Sequence, residues 1–142
     1  MEVERSSSAV WEVAYHIVWC PKYRKTIPAA VQASAKSLIR AISDARGWEI
    51  KELEVMPDHI DLFLSAPPTE APTGVVKVLK GVTAKELFER HPALRREFRN
   101  GHLWSPSYYL GTVGHVSEET VAHYVRDQKL RTQGRRRGSS PV

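Results

Sequence analysis

The chain of 142 residues holds one cysteine, Cys20, so no intrachain disulfide is possible and no cysteine-built zinc site can form. No apolar run approaches the roughly 20 residues that a membrane-spanning helix needs. Residues 1–8 are polar and carry no apolar signal core. No Walker loop, GxGxxG or GxSxG is present, and no segment repeats. These absences exclude a disulfide scaffold, a helical membrane protein and the common glycine-loop nucleotide sites. They lead to the expectation of a soluble protein kept in a reducing cytoplasm. Acidic groups are the minority. Lys and Arg number 21 against 16 Asp and Glu, for a formal charge of +5, and the pI is about 9.5. That balance favours a polyanionic partner, nucleic acid first. With 42% hydrophobic residues the chain can build one core, and its length suits one domain over residues 1–130.

Alternation over residues 11–20 predicts a half-buried strand. Trp11, Val13, Tyr15, Ile17 and Trp19 share one face, and Glu12, Ala14, His16 and Val18 the other. Pro21 ends it, and Lys22, Tyr23, Arg24 and Lys25 make a basic, aromatic turn. Residues 29–46 carry Val31, Ala35, Leu38, Ile39 and Ile42 at helical spacing, with Pro28 near the start and Gly47 just past the end. Strands are predicted over 48–56 and 59–66, joined tightly at Pro57-Asp58. A second helix over 73–90 turns Val75, Val78, Leu79, Val82 and Leu87 inward, leaving Lys77, Lys80 and Lys85 to face solvent or ligand. A short basic segment with Arg95, Arg96 and Arg99 precedes a fourth strand over 103–112, with an irregular entry at Pro106. Gly111 and Gly114 flank a hinge. Ser117 caps a last helix to about Leu130, and the basic tail 131–142 is expected to be disordered. The order β-α-β-β-α-β, with an added C-terminal helix, is the α+β, ferredoxin-like pattern with an antiparallel sheet, as in RRM-like folds. Helices on one sheet face leave the other free.

Two separated fragments carry the chemistry. His59 and Asp61 lie two apart on a strand, so they point to one face. Tyr124 and Gln128 lie four apart on a helix and share one side. If that helix packs over the strand, an imidazole, a carboxylate, an amide oxygen and a phenol meet. His59, Asp61 and Gln128 suit Mg²⁺ or Mn²⁺ better than a soft metal. A cation with open positions polarises a phosphoryl oxygen, and tyrosine is a competent nucleophile whose phosphodiester keeps the bond energy for rejoining. Lys22, Tyr23, Arg24, Lys25, Lys77, Lys80, Lys85, Arg95 and Arg96 can track a phosphate backbone, with Tyr23 or Trp104 stacking on bases.

With these residues in view, the chain resembles the IS200/IS605 single-tyrosine transposases, relatives of the HUH nucleases, from about Tyr15 to Lys129. The resemblance rests on Tyr15-His16-Ile17-Val18-Trp19-Cys20-Pro21-Lys22-Tyr23-Arg24, Val55-Met56-Pro57-Asp58-His59, Val78-Leu79-Lys80-Gly81 and Gly101-His102-Leu103-Trp104-Ser105-Pro106-Ser107-Tyr108. Gly111-Thr112-Val113-Gly114 and the Tyr124…Gln128 helix add to it. It implies a prokaryotic, nucleoid-associated enzyme that recognises hairpins near the ends of an insertion element. Such an enzyme cleaves and rejoins single-stranded DNA through a 5′-phosphotyrosine at Tyr124. It further implies a Mg²⁺ or Mn²⁺ site of His59 and Gln128, with Asp61 standing where the family carries a second histidine, and a homodimer tethered at 111–114. Two other readings share the fold: a non-catalytic binder of single-stranded hairpin DNA with a decayed metal site, and a ferredoxin-like RNA-binding module. The latter calls for paired aromatics on the open sheet face, where the third strand offers only Phe63.

Overall fold

The computed structural model describes residues 5–6, 9–10 and 14–113. The expectations placed on residues 11–13, Gly114, Ser117, Tyr124, Gln128 and the tail lie outside the described residues. Two short strands, β1 (Arg5–Ser6) and β2 (Ala9–Val10), pair antiparallel. Then follow β3 (Ala14–Trp19), α1 (Ala29–Arg46), β4 (Glu49–Val55), β5 (Ile60–Ser65), α2 (Pro72–Arg90), the single turn α3 (Leu94–Glu97) and β6 (Tyr109–Val113). The main sheet has the order β4-β5-β3-β6, antiparallel throughout. This is the mixed α and β layering that the split β-α-β pattern requires.

Local chemistry explains the boundaries. Proline cannot donate to a ladder, so β3 stops before Pro21. Helix α1 ends where Gly47 takes the left-handed conformation (φ 74°), its N–H reaching the carbonyls of Ser43 and Asp44. Pro72 opens α2, where a missing N–H costs nothing. Both long helices cover one sheet face. Ile17, Trp19, Ile60, Leu62 and Leu64 from the strands join Val31, Ala35, Leu38 and Ile39 of α1, and Val75, Val76, Leu79 and Leu87 of α2, in one buried cluster. Ala14 and Phe63 are buried on the opposite face, with Val113 packed against them.

Three expectations need correction. The fourth strand is Tyr109–Val113, not 103–112, and Trp104 makes only an isolated bridge to Pro21. Pro106 has no N–H with which to continue the ladder. The hinge at Gly111 is instead paired strand: Gly111 stands opposite His16 and Val113 opposite Ala14. On α2, Val82 is exposed and Thr83 is buried in its place. Thr83 Oγ1 donates to the Leu79 carbonyl at 2.6 Å and accepts the indole N–H of Trp104 at 3.0 Å. That polar link was invisible to a hydrophobic count.

Thr83→Val should therefore strand the Trp104 N–H in the core and cost about 1–3 kcal/mol of unfolding free energy. Val82→Thr, on the exposed side, should stay within about 0.5 kcal/mol of the parent. Urea denaturation measures both, and a larger loss at Val82 would contradict the placement of α2.

Candidate metal centre and nucleic-acid surface

The antiparallel register of β3 and β5 sets the centre. Val18 faces Asp61 and His16 faces Phe63 across the ladder. Residues two apart on a strand share a face, so His16, Asp61 and His59 emerge on the side away from α1 and α2. His59 precedes β5 in the four-residue connection 56–59, where the N–H of Met56 bonds the His59 carbonyl at 2.8 Å. His16, His59 and Asp61 are all buried, Asp61 completely.

A chain of contacts links them. His16 Nε2 lies 2.7 Å from Asp61 Oδ1. An ionised carboxylate can only accept, so the imidazole donates. The outer nitrogen of His59, Nδ1, lies 2.8 Å from the exposed Asp58 carboxylate. Donation there turns the Nε2 of His59 inward as the free position. It ends 3.6 Å from Asp61 Oδ2. Neither His59 Nε2 nor Asp61 Oδ2 has a hydrogen-bond partner among the described residues. Two lone pairs facing each other in a buried site repel unless a cation stands with them. A proton on His59 meets that need in the metal-free protein. Burial works against the charged imidazole, but the nearby Asp61 carboxylate and the Asp58 carboxylate bonded to Nδ1 outweigh it and raise the His59 pKa above its ordinary 6.5. Burial likewise works against the Asp61 anion, yet the hydrogen bond from His16 and the nearby His59 imidazole hold its pKa below its ordinary 3.8.

A divalent ion would serve the same pair of atoms. One imidazole nitrogen and one carboxylate oxygen suit a hard, oxygen-preferring cation. Among the described residues no group of three or more His, Cys, Asp or Glu side chains is arranged to hold a metal. A centre built on His59 and Asp61 therefore needs a donor of another type or from elsewhere in the chain. Gln128 and Tyr124 lie outside the described residues.

Sequence reasoning missed His16 and Asp58. The signal for His16 was present: once β3 and β5 are neighbours with their apolar faces on one side, His16 must share the face of Asp61. Asp58 was read only as part of a turn.

The basic residues gather at the same end of the sheet. Trp19 pairs with Ile60, so the turn after β3 sits beside the start of β5, and the Ile27 N–H bonds the Pro57 carbonyl at 2.7 Å. Within this turn Tyr23 and Arg24 hold positive φ of 63° and 56°, conformations that cost energy for non-glycine residues. Neighbours brace them. Lys22 N–H bonds the Leu103 carbonyl at 2.8 Å, Asn100 Nδ2 donates to the Tyr23 hydroxyl at 3.2 Å and Lys25 pairs with Glu97 at 3.5 Å. The turn and the Arg95–Arg96 segment thus form one surface, with Tyr23 about half exposed at 51%.

Lys77 and Lys85 are exposed, but Lys80 is half-buried. Its ammonium donates to the Ser105 carbonyl at 2.7 Å and lies 5.2 Å over the Tyr108 ring. Burial lowers its pKa from 10.5, with Cys20 nearby acting the other way. Lys80 is thus a strut, facing the 105–106 carbonyls and the groove beside them rather than bulk solvent. Trp104, expected as a stacking platform, is 6% exposed, with its N–H bound to Thr83, which leaves little of the ring open to a base. Between α2 and residues 101–108 lies a groove of about 590 Å³, lined in part by Lys77, Lys80, His102 and Tyr108. No helix among the described residues is long and apolar enough to cross a membrane.

The four-stranded antiparallel sheet with helices on one face is a fold that the chain shares with solved transposase structures. A family model described as transposase, IS200 like, matches residues 9–128. The chain is 36% identical over 129 residues to the ISDra2 transposase TnpA of Deinococcus radiodurans, covering 90% of this chain and 92% of that protein. It is 29% identical over 127 residues to the transposase for insertion sequence element IS200 of Salmonella typhimurium, covering 87% and 84% of the two. Among solved structures, a transposase-like protein of Deinococcus radiodurans superposes with a TM-score of 0.71 at 33% identity over 88% of this chain and 97% of that one. A REP-associated tyrosine transposase bound to a REP hairpin shares the fold, with a TM-score of 0.59 at 13% identity over 94% and 74%. The chain belongs to the IS200-like transposase family.

The shifted titrations make a stability prediction for metal-free protein. His59, with its raised pKa, contributes fully below 6.5 and loses that contribution as pH rises through the folded value. Asp61, with its lowered pKa, contributes fully above 3.8 and loses it as pH falls through the folded value. Their joint contribution is greatest between those limits. In chelator, the stability advantage of the parent over His59→Gln should shrink above pH 6.5. An advantage that grows as pH rises there would contradict the assignment.

Proposed function

We propose that the protein cleaves and rejoins single-stranded DNA at the ends of an insertion element, with Tyr124 as nucleophile and His59, Asp61 and Gln128 as holders of one Mg²⁺ or Mn²⁺. The observation that carries this reading is the pair of converging, buried and unpartnered atoms, His59 Nε2 and Asp61 Oδ2, on an IS200-like transposase fold. The family match spans 9–128 and so takes in both Tyr124 and Gln128.

When bound, the cation would supply Lewis-acid polarisation of the scissile phosphate. The chain's own residues do the rest. Asp58 fixes the His59 ring so that Nε2 faces the centre, and β3 and β5 hold Asp61 beside it. The Tyr124 hydroxyl gives up its proton as its oxygen bonds to phosphorus, the bond to the 3′ oxygen breaks, and that oxygen takes up one proton to leave as a free 3′-OH. The resulting 5′-phosphotyrosine is rejoined when a 3′-OH attacks in reverse. Recognition of a folded strand is supported by the basic turn and the Arg95–Arg96 segment at one end of the sheet, and by Lys77 and Lys85 exposed on α2. It is supported also by the hairpin carried by the REP-associated tyrosine transposase of the same fold.

Incubation with hairpin-bearing single strands and Mn²⁺ should give a covalent protein–DNA adduct on denaturing gels. Tyr124→Phe should keep hairpin binding and lose the adduct. Adduct persisting in that variant would refute the nucleophile. Hairpin binding with no adduct in the parent would favour the non-catalytic reading.

The surface makes a second prediction. Each lysine that neutralises a phosphate steepens the dependence of affinity on salt by about 0.7 for a single strand. Lys77→Ala should flatten the slope by about that amount, with the fold intact. Lys80→Ala should instead lower the melting temperature, because Lys80 ties α2 to the 105–106 carbonyls. Unchanged salt slopes for Lys77→Ala, Lys85→Ala and Arg95→Ala would exclude this face from DNA binding.

A further inference from the structure

The buried face of the sheet holds one side chain that the proposed chemistry has not used. His16 sits on the central strand β3, and three neighbours fix its ring. Phe63 stacks on one side, with centroids 4.7 Å apart and planes within 11°. Tyr109 meets it edge-on at 5.4 Å. Gly111, opposite His16 in the ladder, leaves the space that Tyr109 fills: a Cβ there would come within 2.5 Å of the tyrosine hydroxyl. The ring is thereby aimed, and its Nε2–H meets Asp61 Oδ1 at 2.7 Å.

We propose that His16 is the positioning residue for Asp61: it holds Oδ1 so that Oδ2 alone faces His59 Nε2 and is presented to the metal. An aspartate has a short side chain and a carboxylate that can rotate about its last bond. Without a donor on Oδ1, either oxygen could turn inward and the donor atom would not be fixed. A carboxylate held by one hydrogen bond presents one oxygen in one direction, and such outer partners typically govern metal affinity by about 10- to 100-fold. The stacked geometry also explains why histidine serves here. It combines a flat ring for Phe63 with a donor at the ring's far end, which phenylalanine lacks.

This inference rests on the metal reading above, and the test separates the two. Mn²⁺ affinity of the full chain is measured by electron paramagnetic resonance, with circular dichroism and hairpin DNA binding as checks on folding. His16→Phe keeps the stack and removes the donor; it should weaken Mn²⁺ binding about 10- to 100-fold. His16→Gln keeps a donor and should recover most of the loss, a rescue that a purely structural role would not give. Asp61→His replaces the carboxylate by an imidazole, whose two ring nitrogens are not interchangeable by rotation about the last bond, so the choice of oxygen that His16 fixes no longer exists. Adding His16→Phe to Asp61→His should therefore change Mn²⁺ affinity by less than about threefold. Parent-like Mn²⁺ affinity in His16→Phe, while His59→Ala loses it, would overturn the role of His16 alone. Equal losses from His16→Phe in both backgrounds would also overturn it. A parent chain that binds no Mn²⁺ would overturn both this proposal and the metal reading. Should His16→Phe fail to fold, His16→Gln and His16→Asn decide the matter: parent-like affinity in Gln with weaker binding in the shorter Asn supports positioning, and equal affinities in the two refute it.

Discussion

A carboxylate with no exposure to water lies between two imidazoles, and much of the rest of the structure can be understood as what makes that tolerable. An isolated buried charge costs several kcal/mol or more, so Asp61 must be answered locally. His16 answers one oxygen at 2.7 Å and His59 stands 3.6 Å from the other. Removing either imidazole takes away one of the two groups that answer that charge. The register of β3 on β5 enforces the arrangement. A slip of β3 by one residue would send His16 into the apolar layer under α1 and α2, away from Asp61, and Ile17 out of it.

That dependence explains why the core is built as it is. The helix-facing layer is apolar and closely packed, holding β3 and β5 in place without polar links of its own in their centre. The polar exceptions lie at its margin. Thr83 and Trp104 pair there, and Lys80 ties α2 to the 105–106 carbonyls. These margin contacts set the path of the 101–108 segment, which in turn braces the strained Lys22–Arg24 turn through Leu103. The basic surface and the acidic centre are thus mechanically joined at one end of the sheet. Positive side chains would draw a polyanionic strand to that end, and the only fully buried carboxylate among the described residues waits there.

Much of this was legible in the residues. The limits of α1 followed from Pro28 and Gly47, and the strand pattern followed from period-two alternation, because both signals are local. The shared face of His59 and Asp61 followed from their spacing alone. What stayed hidden depends on pairing between distant segments. Nothing near His16 announces Asp61, since 45 residues separate them and only the sheet order brings them together. Trp104 looked like a stacking platform because an indole near basic residues is ambiguous until its burial is known. Val82 and Thr83 exchanged places because α2 carries apolar residues around much of its circumference, which blurs the inward face. The glycine pair near β6 read as a hinge, but Gly111 is required by the ring of Tyr109 laid across it.

The central claim is that His59 and Asp61 hold the metal while His16 orients and does not ligate. Pulsed electron paramagnetic resonance on the Mn²⁺-loaded full chain, grown with ¹⁵N-histidine, counts the imidazole nitrogens bound directly to the ion. The account predicts one, lost in His59→Ala and retained in His16→Gln. Two coupled imidazoles, or none, would contradict it.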